Sequence, residues 1–567
     1  MKQFLKRFRI PALILCAAGI LAAGALIAAR VHAGRTPQAA AEGSPAEDPA
    51  QTVVAAEGAA SVVFSDGAVQ TDAGGDAVEI SGTAVTVRAP GIYTLSGTCA
   101  NGSVTVRKQT EGVTLVLDGL HLTADGTAAI CCNKGSEVTI RAAEGSVNTL
   151  ADTESNNDET DPANTSAENA VIKAKDGARL TLCGTGALEI TANGKNGVKS
   201  GASSEEFGEA SLTISELTLS VTAVNDSLKA DTALRLLSGD VTLSAGGDGI
   251  GCDGSVSIGA GETDGPVLRI TRSEEGIEGA EVSILSGDVR IQSEDDGINT
   301  SSDSGTPALR ISGGTLRVDA ATGDGLDSNG TLTISGGEVT VFSSSRADNS
   351  PLDSGAGLEL TGGTVLAIGA AGMAELPTTA AQCYVTFGAS GMGGFGGRGG
   401  FGGRGGFGPM GEANGEGAVG PTAMGGVEPL ATASGSGVSI SAGDTVQILA
   451  ADGTVLAETT APRAADYVFY SDPAIADGES FTLCINGTQA ATATAGTETG
   501  AAGGFGGRPG EGFDPENMPR RPGGGFGGGQ QPPGGFGGGQ QPPDGFGGGQ
   551  QPPDGAQSPP DTGGDEI

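Results

Sequence analysis

A short corner made of an acidic residue, a glycine and an apolar residue recurs through the middle of this chain, and it leaves few folds open. Its clearest copies are GDGIGCDGSVSI from Gly247, EDDGINTSSDSGTPALRISGGTLRVDA from Glu294 and GDGLDSNGTLTISGGEVTVFS from Gly323. Each unit runs strand, Ser-Gly-Gly or Ser-Gly-Asp turn, strand, then the corner. With the apolar corner residue as a ruler, the series is Ile172, Val198, Leu228, Ile250, Ile277, Ile298, Leu326 and Leu352. The intervals are unequal, as expected when loops of varying length decorate a constant core.

The segments between corners alternate apolar with polar. Leu309-Arg310-Ile311, Leu316-Arg317-Val318 and Leu332-Thr333-Ile334 each place Leu, Ile or Val on one face. Each is too short to be stable alone. Stacking equivalent strands pairs their backbones and buries a continuous aliphatic ladder. Amphipathic helical stretches are nearly absent. The fold predicted is therefore all-β, a parallel β-helix or solenoid. A β-sandwich is the alternative, but its strands would not share one repeated corner. Gly249, Gly297 and Gly325 are expected at the corners for backbone with φ > 0.

The flanking regions are of other kinds. Residues 1–33 read as a signal peptide or N-terminal anchor: Lys2, Lys6, Arg7 and Arg9 precede an apolar run from Ile10 to Ala29. Val31-His32-Ala33 offers cleavage before Gly34. The run is also about as long as a membrane span, so an uncleaved anchor is the alternative. Residues 34–52 read as a linker, and 53–391 as the parallel β-helix domain. A Gly/Phe-rich insertion follows at 392–435, then a C-terminal β segment at 436–494 that caps the solenoid. A disordered Gly/Pro/Gln-rich tail repeating FGGGQQPP occupies 495–567. The protein is expected to be exported, to the cell surface or beyond.

Charge narrows the partners. Asp and Glu number 68 against 30 Lys and Arg, a formal −38. Such a surface repels nucleic acid and attracts cations. Apart from Cys16 the cysteines are Cys99, Cys131, Cys132, Cys183, Cys252, Cys383 and Cys484. Without short paired spacings they form neither a zinc site nor a disulfide framework, and small buried residues are expected, with one or two disulfides left open.

The acids gather at the corners. Asp226, Asp248, Glu275, Asp296 and Asp324 stand two residues before the ruler, with Asp231, Asp253, Glu274, Asp295, Asp327 and Asp348 near them. Stacked in register, equivalent residues lie about 4.8 Å apart. Two carboxylates at that distance repel by about 1 kcal/mol in water and by roughly 3–4 kcal/mol at an effective dielectric near 20. Several such pairs cost on the order of 5–15 kcal/mol, comparable with the net stability of a domain. A hard divalent cation would offset this, and calcium takes carboxylate and backbone carbonyl oxygens together. A single Asp-Gly is more simply a turn that bonds its own backbone. A recurrent column favours calcium.

NDSLKAD, GDGIGCDG, DDGINT and GDGLDSNGTLTISGG, with the earlier segments Ile92–Gly97 and Leu115–Gly119, resemble the carbohydrate-binding β-helix family of clostridial and related gut bacteria. The resemblance covers roughly Val53 to Ser390 and 436 to 494. It implies a right-handed, pectate-lyase-like β-helix, bound calcium, and binding of plant polysaccharides including cellulose and acidic pectic sugars. Carried over, calcium falls on Asp226, Asp248, Asp296 and Asp324 with their neighbours. Glu275 departs from the pattern, as does Ser350 before Pro351-Leu352.

The functional reading is a non-catalytic polysaccharide-binding protein, dependent on calcium. With no Trp and only Tyr93, Tyr384, Tyr467 and Tyr470, stacking on neutral sugars is poorly served, which points to acidic glycans. Two alternatives stand beside it. One is a polysaccharide lyase with Lys229 or Lys199 as base. The other is a structural or adhesive surface protein.

Overall fold

The computed structural model describes residues 59–261, 264–302, 305–388 and 437–500. The signal or anchor at 1–33, the linker at 34–52, the insertion at 392–435 and the tail beyond residue 500 lie outside the described residues.

The described chain is all-β and contains no helix. A mixed 33-stranded sheet takes most strands, and a four-stranded sheet takes the rest. Pairing in the large sheet is mostly parallel and joins strands distant in sequence: Asp240–Ala245 lies between Thr218–Ala223 and Val267–Arg272. The ruler residues are partners of one another. Ile172 pairs with Val198, Val198 with Leu228, Leu228 with Ile250, and Ile250 with Ile277. Ile277 then pairs with Ile298, Ile298 with Leu326, and Leu326 with Leu352. The column also begins earlier than the corner motif, at Val85, Val104 and Ile130.

Alternation along each strand explains the core. Strand Thr315–Ala320 buries Leu316, Val318 and Ala320 while Thr315, Arg317 and Asp319 face away. Each inward side chain meets its equivalents in the rows on either side. Ruler residues Val198 through Leu326 are 0% exposed. Parallel columns, such as Leu219, Val241, Leu268, Val289, Leu316 and Val339, run alongside. Burial of one such side chain stabilises by about 1.5–3 kcal/mol relative to exposure.

The corner glycines have a different reason from the one expected. Gly249, Gly297 and Gly325 do not adopt positive φ. They are small because the rows approach closely. A Cβ on Gly297 would stand 2.1 Å from Val318 Cγ1 and 2.4 Å from the Gly325 carbonyl oxygen. Positive φ belongs to the opposite turns, for example Gly287 at 109° and Gly314 at 78°.

The C-terminal segment forms an antiparallel four-stranded sheet from Val455–Thr460, Thr445–Leu449, Ser480–Ile485 and Thr488–Thr494. Strand Tyr467–Ser471 pairs antiparallel with both Gly357–Gly369 and Tyr384–Phe387. A second apolar cluster including Phe342, Ile368, Phe387, Val446 and Phe481 fills the junction. All seven described cysteines are free; Cys183 and Cys383 are half-buried and the other five buried.

Candidate functional site

Register carries the acids of the corner into one column, two residues before the ruler: Asn196, Asp226, Asp248, Glu275, Asp296, Asp324 and Ser350. Their first task is local. The Asn196 side-chain oxygen accepts the N–H of Asp226 at 3.2 Å, and Asp226 Oδ1 accepts that of Asp248 at 3.0 Å. Asp296 Oδ1 accepts the N–H of Asp324 at 2.7 Å, and Asp324 Oδ1 that of Ser350. The carboxylates of Asp226, Asp296 and Asp324 thus each satisfy a backbone donor of the next row. Glycine makes room for it: a Cβ on Gly247 would lie 2.6 Å from Asp226 Oδ1, and one on Gly323 2.3 Å from Asp296 Oδ1. The turn role and the column role therefore coexist, since a carboxylate has a second oxygen.

A second column, one residue after the ruler, faces outward beside the first. It reads Lys173, Lys199, Lys229, Gly251, Glu278, Asn299, Asp327 and Asp353. The two columns meet where Asp296, Asp324 and Asp327 bring carboxylate oxygens within 4.8 Å of one another, all three residues half-buried. Burial, followed by the charges of Asp296, Asp353 and Asp324, pushes Asp327 up to about 8. Burial and the neighbouring acids likewise raise Asp324 and Asp248 to about 7.

This donor set fits a hard divalent cation: all oxygen, convergent, and electrostatically frustrated without one. Glu275 supplies a further sign. Its Oε1 accepts from Asn299 Nδ2 at 3.2 Å, while its buried Oε2 has no partner among the described residues. Burial, outweighing the Asn299 bond, raises this carboxyl to about 8.

The remaining expected ligands lie elsewhere. Asp231 is 3.9 Å from Lys199 Nζ, and Asp253 is 3.0 Å from Lys229 Nζ, so both face ammonium groups. Asp348 is exposed and held by both ends of the Arg346 guanidinium, whose hydrogen bond keeps its pKa low. Asp295 is exposed beside Asp296. Three acids escaped the sequence reading: Glu278, Asp353 and Glu375, the last accepting from Ser354 Oγ at 2.7 Å and raised by burial to about 7. Glu278 and Asp353 could have been found by reading one position past the ruler, where Asp327 also stands.

Burial alone would favour the neutral amine of Lys229, but its hydrogen bond to Asp253 and the charges of Asp253 and Asp226 outweigh this and raise its pKa. All four tyrosines are buried, so none offers a stacking face to a sugar.

The model of the carbohydrate-binding domain-containing protein family matches residues 81–264 and 261–382, the stretch that holds every row of both columns. The chain belongs to this family. A family relative from Acetivibrio thermocellus, described in the same words, is 36% identical over 141 residues, 24% of this chain and 47% of its own length. The chain thus spans about half the length of that curated relative. A solved structure titled as the polysaccharide lyase-like protein from C. thermocellum, gadolinium derivative, is 23% identical and covers 54% of this chain and 93% of its own, with a TM-score of 0.31.

Proposed function

We propose that this protein is an exported, non-catalytic polysaccharide-binding protein that uses calcium to hold acidic, pectic glycans of plant cell walls, with cellulosic glycans as a second class. The observation that carries the reading is the convergence of Asp296, Asp324 and Asp327 in a chain of the carbohydrate-binding domain family. Asp296, Asp324 and Asp327 would hold the ion, with Asp353 adjacent; bound there, it supplies positive charge to which a uronate carboxylate can bind. Burial of the tyrosines supports an ionic rather than a stacking mode of recognition.

The scaffold we propose is a right-handed parallel β-helix. Its support is the parallel pairing of ruler residues over successive rows. A lyase is the weaker reading, because Asp253 holds Lys229 as an ammonium and a proton-abstracting amine must be neutral.

The test is incubation of the full chain with polygalacturonate, in calcium and in chelator, following both co-sedimentation and the absorbance of unsaturated products. Binding in calcium without new absorbance is the expected result. Rising absorbance that Lys229→Ala or Lys199→Ala abolishes would make the protein a lyase. Absence of both binding and new absorbance would overturn the acidic-glycan reading and leave the adhesive reading in front.

A further inference from the structure

Lys173, Lys199 and Lys229 stand in register in three consecutive rows of one outward column. Equivalent residues of neighbouring strands lie about 4.8 Å apart, so the three ammonium groups repel one another unless something negative lies along them. The fold supplies that for two of the three, by a simple rule. Each lysine reaches to the residue three past the ruler of the following row: Lys199 to Asp231 at 3.9 Å, and Lys229 to Asp253 at 3.0 Å.

For Lys173 the rule points to position 201, which is glycine. No side chain can be accommodated there, because a Cβ on Gly201 would lie 2.8 Å from both the backbone nitrogen and Oδ1 of Asp176. Asp176 is itself turned to Lys134, at 3.1 Å, and Glu168 to Lys175, at 2.7 Å. Lys173 is half-buried, and its side chain makes no hydrogen bond or ion pair with any described residue. Burial, and next the charge of Lys199, lower its pKa.

The column continues past Gly251, whose lack of a side chain leaves room for Lys229: a Cβ there would meet Asp248 Oδ2 at 3.1 Å and Lys229 Nζ at 3.3 Å. Beyond it the column turns acidic, through Glu278 and Asp327 to Asp353. One outward track thus carries ammonium groups at one end and the candidate cation site at the other.

We infer that Lys173, Lys199 and Lys229 form a cation-independent anion track for a polymer bearing carboxylates on successive residues, which runs across the strands toward the acidic rows. The row spacing is close to the length one sugar adds to an extended polysaccharide. Carboxylates of a polyuronate can therefore meet the lysines directly in one stretch and a bound cation in the next. Lys173, with no internal partner, is the contact that depends most on the ligand. This inference rests on the acidic-glycan reading and adds to it a second, metal-free mode of contact.

The test is retardation of the full chain in gels containing polygalacturonate or a neutral glucan, run in chelator and in calcium at two salt concentrations. In chelator at low salt the parent protein should still be retarded by polygalacturonate alone, less so as salt rises. Lys173→Gln with Lys199→Gln should remove that residual retardation and weaken binding in calcium by about tenfold or more, as expected for loss of charge-assisted contacts. Lys173→Arg should retain it, and Lys108→Gln, outside the track, should behave as the parent. Unchanged thermal unfolding would separate loss of contact from loss of fold. Calcium-dependent retardation with none in chelator, and no effect of the paired variant, would overturn this inference and leave the acidic-glycan reading standing. No retardation by polygalacturonate in either medium would overturn both.

Discussion

The Asp296 carboxylate accepts the backbone N–H of Asp324, one row away, at 2.7 Å, so that two acids of like charge are linked through a single peptide group. The two duties of this side chain can be separated by substitution. Asp296→Asn keeps an acceptor oxygen and relieves repulsion from Asp324 and Asp327, so in chelator its stability should lie within about 1 kcal/mol of the parent, or above it. Asp296→Ala orphans the Asp324 N–H and should cost about 1–3 kcal/mol in the same medium. Both should lose the stabilisation that calcium gives the parent. Thermal unfolding of the three proteins, with and without calcium, checks the ranking.

The acid column predicts an unusual pH dependence. Burial first, and neighbouring charge, raise Asp248 and Asp324 to about 7, and Asp327 and Glu275 to about 8. A carboxyl whose pKa is higher in the fold than in the unfolded chain favours folding when protonated. That contribution is complete below about pH 4, the ordinary carboxyl range, and is lost as pH rises through about 7 to 8. In chelator, unfolding temperature should therefore fall between about pH 5 and about pH 8. Calcium should raise it more at the upper end, where the ligands are ionised. A stability that rises with pH in chelator would contradict this.

Close approach of rows can be tested at Gly297. A Cβ there would meet Val318 Cγ1 at 2.1 Å and the Gly325 carbonyl oxygen at 2.4 Å, both inside the packed core. Gly297→Ala should destabilise by about 3 kcal/mol or more. Gly453 has φ +84° and nothing within 4 Å of its absent Cβ. Its replacement by Ala should cost only about 1–2 kcal/mol, from backbone conformation alone. Denaturant titration of the two variants measures the difference.

The period of this fold was legible because each row repeats the same choice at the same place. An apolar residue at each corner, after glycine in most rows but after Ser227 and Pro351 in two, located Val198 through Leu352, and the structure pairs each with the next. What lay sideways was less legible. The reason for Gly297 is a carbonyl of another row, and no local feature of the sequence names that neighbour. Asp253 and Asp231 looked like ligands by their nearness to the corner, yet their side chains point to Lys229 and Lys199. Asp353 and Glu278 share the outward column with Asp327, but their corners look less alike in sequence. Lys173 escaped notice because an unpaired lysine is defined by the partner that Gly201 fails to provide.

The most direct test of the acidic column as a cation site is a calorimetric titration of calcium into the chelator-treated full chain, beside the paired variant Asp324→Asn and Asp327→Asn. Saturable binding by the parent is expected, with loss of at least one site in the folded variant. Equal binding by both proteins, or no binding by the parent, would contradict a cation site there.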